Sequence, residues 1–215
     1  MAGPSGLGMA RDMDQTTDTE RPVDGRTARR DRNRLAVLDA VLELFAEGNL
    51  DPGVHEVADR SGVSLRSVYR YFEDLDELVT AAIDRHLQRS RPLFEIDGLG
   101  EGPLHERVAR FVERRTRLFD SVRVIYRASR VRAANDPEVH RDLVATQQWL
   151  SDQTQQMFAP EQRSMDEPTA TDTERLIDLI TQFDALEHLR HRCGLDREET
   201  VAHLQRSLHR VLAHG

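Results

Sequence analysis

Two arginines, Arg66 and Arg70, stand among the hydroxyl-bearing side chains Ser64, Ser67, Tyr69 and Tyr71, in the run A-D-R-S-G-V-S-L-R-S-V-Y-R-Y-F from Ala58 to Phe72. A guanidinium is a planar fork of N–H donors that pairs with two acceptors at once, on a guanine edge or on a phosphate. Serine and tyrosine hydroxyls reach phosphate oxygens without reading sequence. The chemistry on offer is recognition of a polyanion with base edges. For Arg66, base contact, phosphate contact and plain solvation all remain open. The Tyr69 ring can face phosphate or join a small core.

These residues need a scaffold that presents them. Gly62 suits a turn with positive φ, and Ala58 is small enough for two helices to approach closely. Val57, Val63 and Val68 then form a small core between a helix ending near Ser61 and one running from Leu65 to Phe72, capped by Ser64. Asp51-Pro52 reads as a cap followed by proline at the first helical position. Upstream, Leu35, Leu38, Leu42 and Phe45 recur on one helical face from Arg34 onward, and Gly48-Asn49 ends that helix. Downstream, Asp74 caps a helix carrying Leu78, Ala81, Ala82, Ile83 and Leu87. This is a helix-turn-helix pattern, in which the start of the second helix enters the major groove.

The run from Val54 to Leu78, with Phe45-Ala46 before Gly48 and Tyr69 and Phe72 closing the motif, resembles the DNA-binding domain of the TetR (tetracycline repressor-like) family. The resemblance covers about fifty residues. It implies that Leu65, Ser67 and Tyr71 face DNA and that His55 lies near an outer base or phosphate, although a surface role suits His55 equally. It also implies a homodimer on a palindromic double-stranded operator, and more often repression than activation. Two departures stand out. Pro52-Gly53-Val54 replaces the Thr-Thr or Thr-Val that usually opens the first helix of the motif, so a hydroxyl that could contact phosphate is missing, and Leu75 occupies a slot usually held by a backbone-touching lysine. With Glu73, Asp74 and Asp76 nearby, more of the affinity is expected from Arg66, Arg70 and the Arg26–Arg34 stretch. That stretch holds five arginines against one aspartate, and Arg30 is its representative as a minor-groove arm. A solvated charge run is the alternative.

Composition frames this. The chain has 215 residues, a net charge of −8 and one cysteine, Cys193. A basic strip on an acidic body suits site-specific binding better than blanket coating of nucleic acid. A lone cysteine excludes an internal disulfide and fits a cytoplasmic protein. No apolar run approaches the length of a membrane span, so no membrane contact is expected. No cofactor or metal is expected either. His188, His191 and Cys193 are spaced H-x-x-H-x-C at a helix end, where histidines also favour the macrodipole.

The expected fold is all-α, with about nine helices. Residues 1–25 read as a disordered tail. Residues 26–80 read as a three-helix helix-turn-helix domain, and 81–215 as a larger helical effector-binding and dimerisation domain. Pro92 and the glycines to Gly102-Pro103 mark a break, and 160–170 a loop. Asp136-Pro137, Thr171 with Glu174, and Asp196 with Glu199 look like helix starts. Phe111, Phe119, Tyr126, Trp149, Phe158 and Phe183 are candidates to line a small-molecule effector pocket, or simply core. Arg115 and Arg127 are candidates to meet an acidic effector. A wide apolar face over about 173–192, with Leu176, Ile180 and Phe183, and another carrying Leu204, Leu208 and Val211, predict a four-helix dimer interface. An enzyme is disfavoured, since no nucleophile–base pair, glycine-rich phosphate loop or paired E-x-x-H motif is present. An adaptor whose helix-turn-helix no longer binds DNA is the other alternative.

Overall fold

The structure, a computed structural model, describes residues 25–213. Apart from Gly25, the expected tail lies outside the described residues. The all-helical expectation holds, with nine α-helices and no strand among the described residues: α1 (Gly25–Ala46), α2 (Val54–Ser61), α3 (Leu65–Tyr71), α4 (Leu75–Phe94), α5 (Leu104–Ala133), α6 (Pro137–Gln162), α7 (Glu167–Thr181), α8 (Phe183–Glu187) and α9 (Arg197–Ala213). A π-helical turn, His188–Arg192, continues α8.

Several boundaries follow the sequence signals. Gly48 ends α1 at φ +95°, and the Asn49 N–H donates back to the Leu44 carbonyl (3.0 Å). Gly62 adopts φ +67°, where a β-branched side chain would be strained. The Asp74 carboxylate accepts from the Glu77 N–H (2.8 Å), and the Asp136 carboxylate accepts from the Glu138 N–H (2.9 Å). Asp196 and Glu199 form a reciprocal capping box (2.8 and 2.9 Å).

Other boundaries move. α1 starts at Gly25 rather than Arg34, because arginines are good helix formers and nothing between them breaks the helix. α2 is capped at Gly53, whose N–H donates to the Glu56 carboxylate (2.7 Å), so Asp51-Pro52 lies just outside it. Pro92 and Pro160 both sit within the last turn of their helices, so the one bond each removes lies at the helix end, and the helix stops two residues later. The expected loop over 160–170 therefore shrinks to 163–166. Asp166, rather than Thr171, caps α7 by accepting from the Thr169 N–H (3.0 Å). The expected helix over 173–192 breaks at Gln182, which is extended.

Two apolar clusters result. One joins α1 to α4 around Val37, Phe45, Val57, Val68, Phe72 and Leu78, and it borrows Ala128 from α5. The other lies among α5 to α9 around Phe111, Phe119, Phe158, Leu186 and Leu208. α4 runs through both regions: Leu78 and Ala82 belong to the first cluster, and Leu87 and Phe94 pack on the second.

Candidate nucleic-acid interface and adjoining cavity

α3 is held by its buried face. Val68 is buried where α3 packs on α2 and α1, and Phe72, just past the helix end, is buried with it. One turn of helix on either side of Val68 is thereby turned outward. Arg66, Tyr69 and Arg70 are exposed, as are Ser64 and His55. Tyr69 retains 52% of its surface, so its ring is not core. Arg66 makes no hydrogen bond or ion pair with any described residue. The Ser64 hydroxyl donates to the Ser67 hydroxyl (3.1 Å) instead of capping the helix. The Arg70 guanidinium lies 5.2 Å from the centre of the Tyr71 ring and donates to the Tyr71 hydroxyl (3.2 Å). Tyr71 and Leu65 are half-buried against the first cluster, which fixes the base of the helix.

The basic stretch has changed character. Arg29, Arg30 and Arg32 are exposed along the first turns of α1, so they project from a helix instead of trailing as an arm. Arg34 is committed elsewhere, with its guanidinium 5.1 Å from the centre of the Phe72 ring. The acidic flank is also engaged. Asp74 caps α4, and the Asp76 carboxylate accepts from Arg132 of α5 (3.2 Å).

A cavity of about 770 Å³, open to solvent, lies between α4, α5 and α6, bordered by Ile83, Leu87, Phe94, Tyr126, Leu143 and Phe183 among others. A second, much narrower space shares Tyr126, Leu143, Thr146 and Phe183 with it and is also lined by Arg115, Leu150 and Asp178. Of the six aromatic candidates, only Tyr126 and Phe183 border these spaces. Phe111 and Phe158 pack edge to face (5.2 Å) deep in the core, and Phe119 packs on Phe183 (5.6 Å). Trp149 is 41% exposed and leans on Phe94 (5.8 Å) from outside. Burial, then the Asp184 carboxylate, push the Tyr126 phenol above its ordinary pKa, so it stays neutral.

Sequence reasoning missed the cavity's contribution from α4 (Thr80, Ile83, Asp84, Leu87). Its only signal was an apolar face wider than the first cluster alone needs. Arg115 is nearly fully buried and borders the second space, whereas Arg127 is half-exposed and lies 3.5 Å from Glu187. Of the interface candidates, Phe183 is buried within the subunit against Phe119 and Tyr126, and Leu204 and Leu208 are buried where α9 packs on α5 and α7. Leu176 is exposed, and Ile180 and Val211 are half-buried. Leu179, on the same wide apolar face, is 66% exposed. His191 lies 3.5 Å from Glu187, and Cys193 is exposed. No helix among the described residues is long and apolar enough to cross a membrane.

Residues 37–82 match the family described as bacterial regulatory proteins, tetR family. No curated protein sequence matches the chain. The fold is similar to solved structures. A tetR-family transcriptional regulator from Streptomyces coelicolor shares 21% identity at a TM-score of 0.60, covering 85% of this chain and 81% of that one. A transcriptional regulator from Rhodococcus sp. Rha1 shares 20% at 0.60, covering 86% and 96%. The TetR-like regulator LfrR from Mycobacterium smegmatis, solved in complex with proflavine, shares 21% at 0.53, covering 84% and 96%.

Proposed function

We propose that this chain, a TetR-family transcriptional regulator with a DNA-binding helix-turn-helix, is a cytoplasmic repressor that binds a palindromic operator as a homodimer and is released by a small molecule. The observation that carries the DNA reading is the outward face of α3, where Arg66, Tyr69 and Arg70 stand free of the core that holds Val68 and Phe72. Arg66 and Ser67 read or position the major groove. Leu65, Tyr69, Arg70 and Tyr71 line its walls, and Ser64, His55 and Arg30 reach the flanking backbone.

Support for pairing comes from Leu176, Leu179, Ile180 and Val211 on α7 and α9. They leave apolar surface uncovered beside a groove of about 910 Å³ between these helices. Two copies of that face make an isologous contact and set two α3 helices one helical turn of DNA apart. The cavity between α4, α5 and α6 supports the ligand reading, because an occupant would touch α4 beyond its contact with α3. The proflavine complex of the fold neighbour is a precedent for a small molecule in such a fold. A ligand shifts DNA affinity only by its preference for one arrangement of the dimer.

The test is fluorescence anisotropy of the full chain on DNA flanking its own gene, at several salt concentrations. Saturable binding to a palindromic segment is expected, with sedimentation showing a dimer. Replacing Arg29 and Arg30 by glutamine should lower the salt slope by about 0.9 for each phosphate that is no longer neutralised. No sequence-dependent binding at any salt concentration would remove the regulator reading.

A further inference from the structure

Among the described residues only two arginines are buried, and the fold treats them differently. Arg107 meets the Glu161 carboxylate and the carbonyls of Gly102 (3.0 Å) and Met157 (2.6 Å). Arg115, 3% exposed, has no carboxylate of a described residue within ion-pair distance. Its Nη2 donates to the Leu150 carbonyl (3.0 Å) and the Thr154 hydroxyl (3.4 Å), and its Nε–H has no acceptor. Its guanidinium sits 5.0 Å from the Phe111 ring centre and borders the narrow space that shares Tyr126, Leu143, Thr146 and Phe183 with the α4–α5–α6 cavity. Asp178 borders the same space, but its two oxygens already accept from Ser151 (2.6 Å) and Gln182 (2.7 Å).

We propose that this cavity takes an amphipathic carboxylate, its anionic head on the unpartnered Nε–H side of Arg115 and its apolar body among Tyr126, Leu143 and Phe183. The inference rests on the cavity being the effector site proposed above. A buried cation without a counterion is costly, and a carboxylate is the group that matches a guanidinium in charge and fork geometry. Toward α4 the cavity offers Ile83, Leu87 and Phe94 to a hydrocarbon body, and the polar Thr80 and Asp84 of that helix do not border the space that Arg115 lines. Burial pushes the Arg115 pKa down to about 10, against the raising influence of Asp178, so the group stays charged at neutral pH and a bound anion relieves that burden.

The test titrates the full chain with decanoate, methyl decanoate and 1-decanol, read by fluorescence of Trp149, the sole tryptophan, which touches Phe94 at the cavity wall. Decanoate should bind at least about tenfold more tightly than its methyl ester, as a charge-assisted hydrogen bond to a buried guanidinium implies. In Arg115→Met the ratio should fall to about one. Equal affinity for acid and ester in the native chain overturns the proposal without recourse to any variant. So does a ratio that survives Arg115→Met in a protein of unchanged helicity, or no binding of any of the three. Tight decanoate binding that leaves DNA affinity unchanged upholds the carboxylate subsite and removes the ligand-release reading instead.

Discussion

Every basic residue of this chain other than histidine is an arginine, and its two halves use that one side chain in opposite ways. In the helix-turn-helix half the core is apolar, and Arg29, Arg30, Arg32, Arg66 and Arg70 stand outside it. In the C-terminal half the core itself contains Arg107 and Arg115, with Gln153, Thr154, Thr173, Thr181 and Thr200. A short helix pinned by Val68 and Phe72 can offer cations to a duplex because its stability does not depend on them. A longer bundle with charges inside it depends on each being answered, by Glu161 for Arg107 and, on the proposal above, by a ligand for Arg115. Arginine content therefore says little about nucleic-acid binding until burial is known.

Three substitutions put this contrast at risk. The largest effect is expected from Arg107→Ala, which leaves the mostly buried Glu161 without its cation. About 3–5 kcal/mol of stability should disappear, read by chemical denaturation. A loss comparable to a surface change would mean that the bundle does not rely on its inner charges. Next, Arg66→Ala should leave stability within about 0.5 kcal/mol of the native chain, while operator affinity falls by about 1–3 kcal/mol. The reverse pattern would make Arg66 a structural residue. The smallest effect concerns Glu113 on α5. Burial raises its pKa, but Arg197 of α9 and Arg117 outweigh that and hold it below the ordinary 4.5. Because its folded pKa is depressed, its contribution is present above 4.5 and lost as pH falls through the folded value. The carboxylate is 38% exposed, so Glu113→Gln should cost only a few tenths of a kcal/mol at about pH 7, fading in acid. A difference that persists at about pH 2–3 would mean that packing, not charge, is what the substitution disturbs.

The helix-turn-helix was legible because its constraints are local. Gly62, Asp74 and the spacing of Val57, Val63 and Val68 each act within a few residues, and each is where the pattern puts it. The cavity was not legible, because α4, α5 and α6 come together from distant parts of the chain. An aromatic such as Phe111 looks the same in sequence whether it fills a core or lines a space. The break at Gln182 carries no glycine or proline. It is held by Thr181 donating to the Ile177 carbonyl (2.8 Å) and by the Gln182 carbonyl accepting from Ala185 and Leu186 (3.1 Å each). Those bonds leave no compositional trace, so Phe183 could not be told from core, and the burial of Leu204 and Leu208 depends on how α9 packs against α5 and α7. The two prolines misled in the opposite direction, since each ends its helix two residues after itself and not before.

Because α4 is one unbroken helix serving both clusters, and Ala128 of α5 completes the first, the reading head is not a detachable cassette. A cut after residue 80 would split α4 and strip Ala82 and Ala128 from beneath it. Chimaeras that trade one specificity for another therefore need their seam on the outward face of α3, or else must carry α4 whole together with the middle of α5.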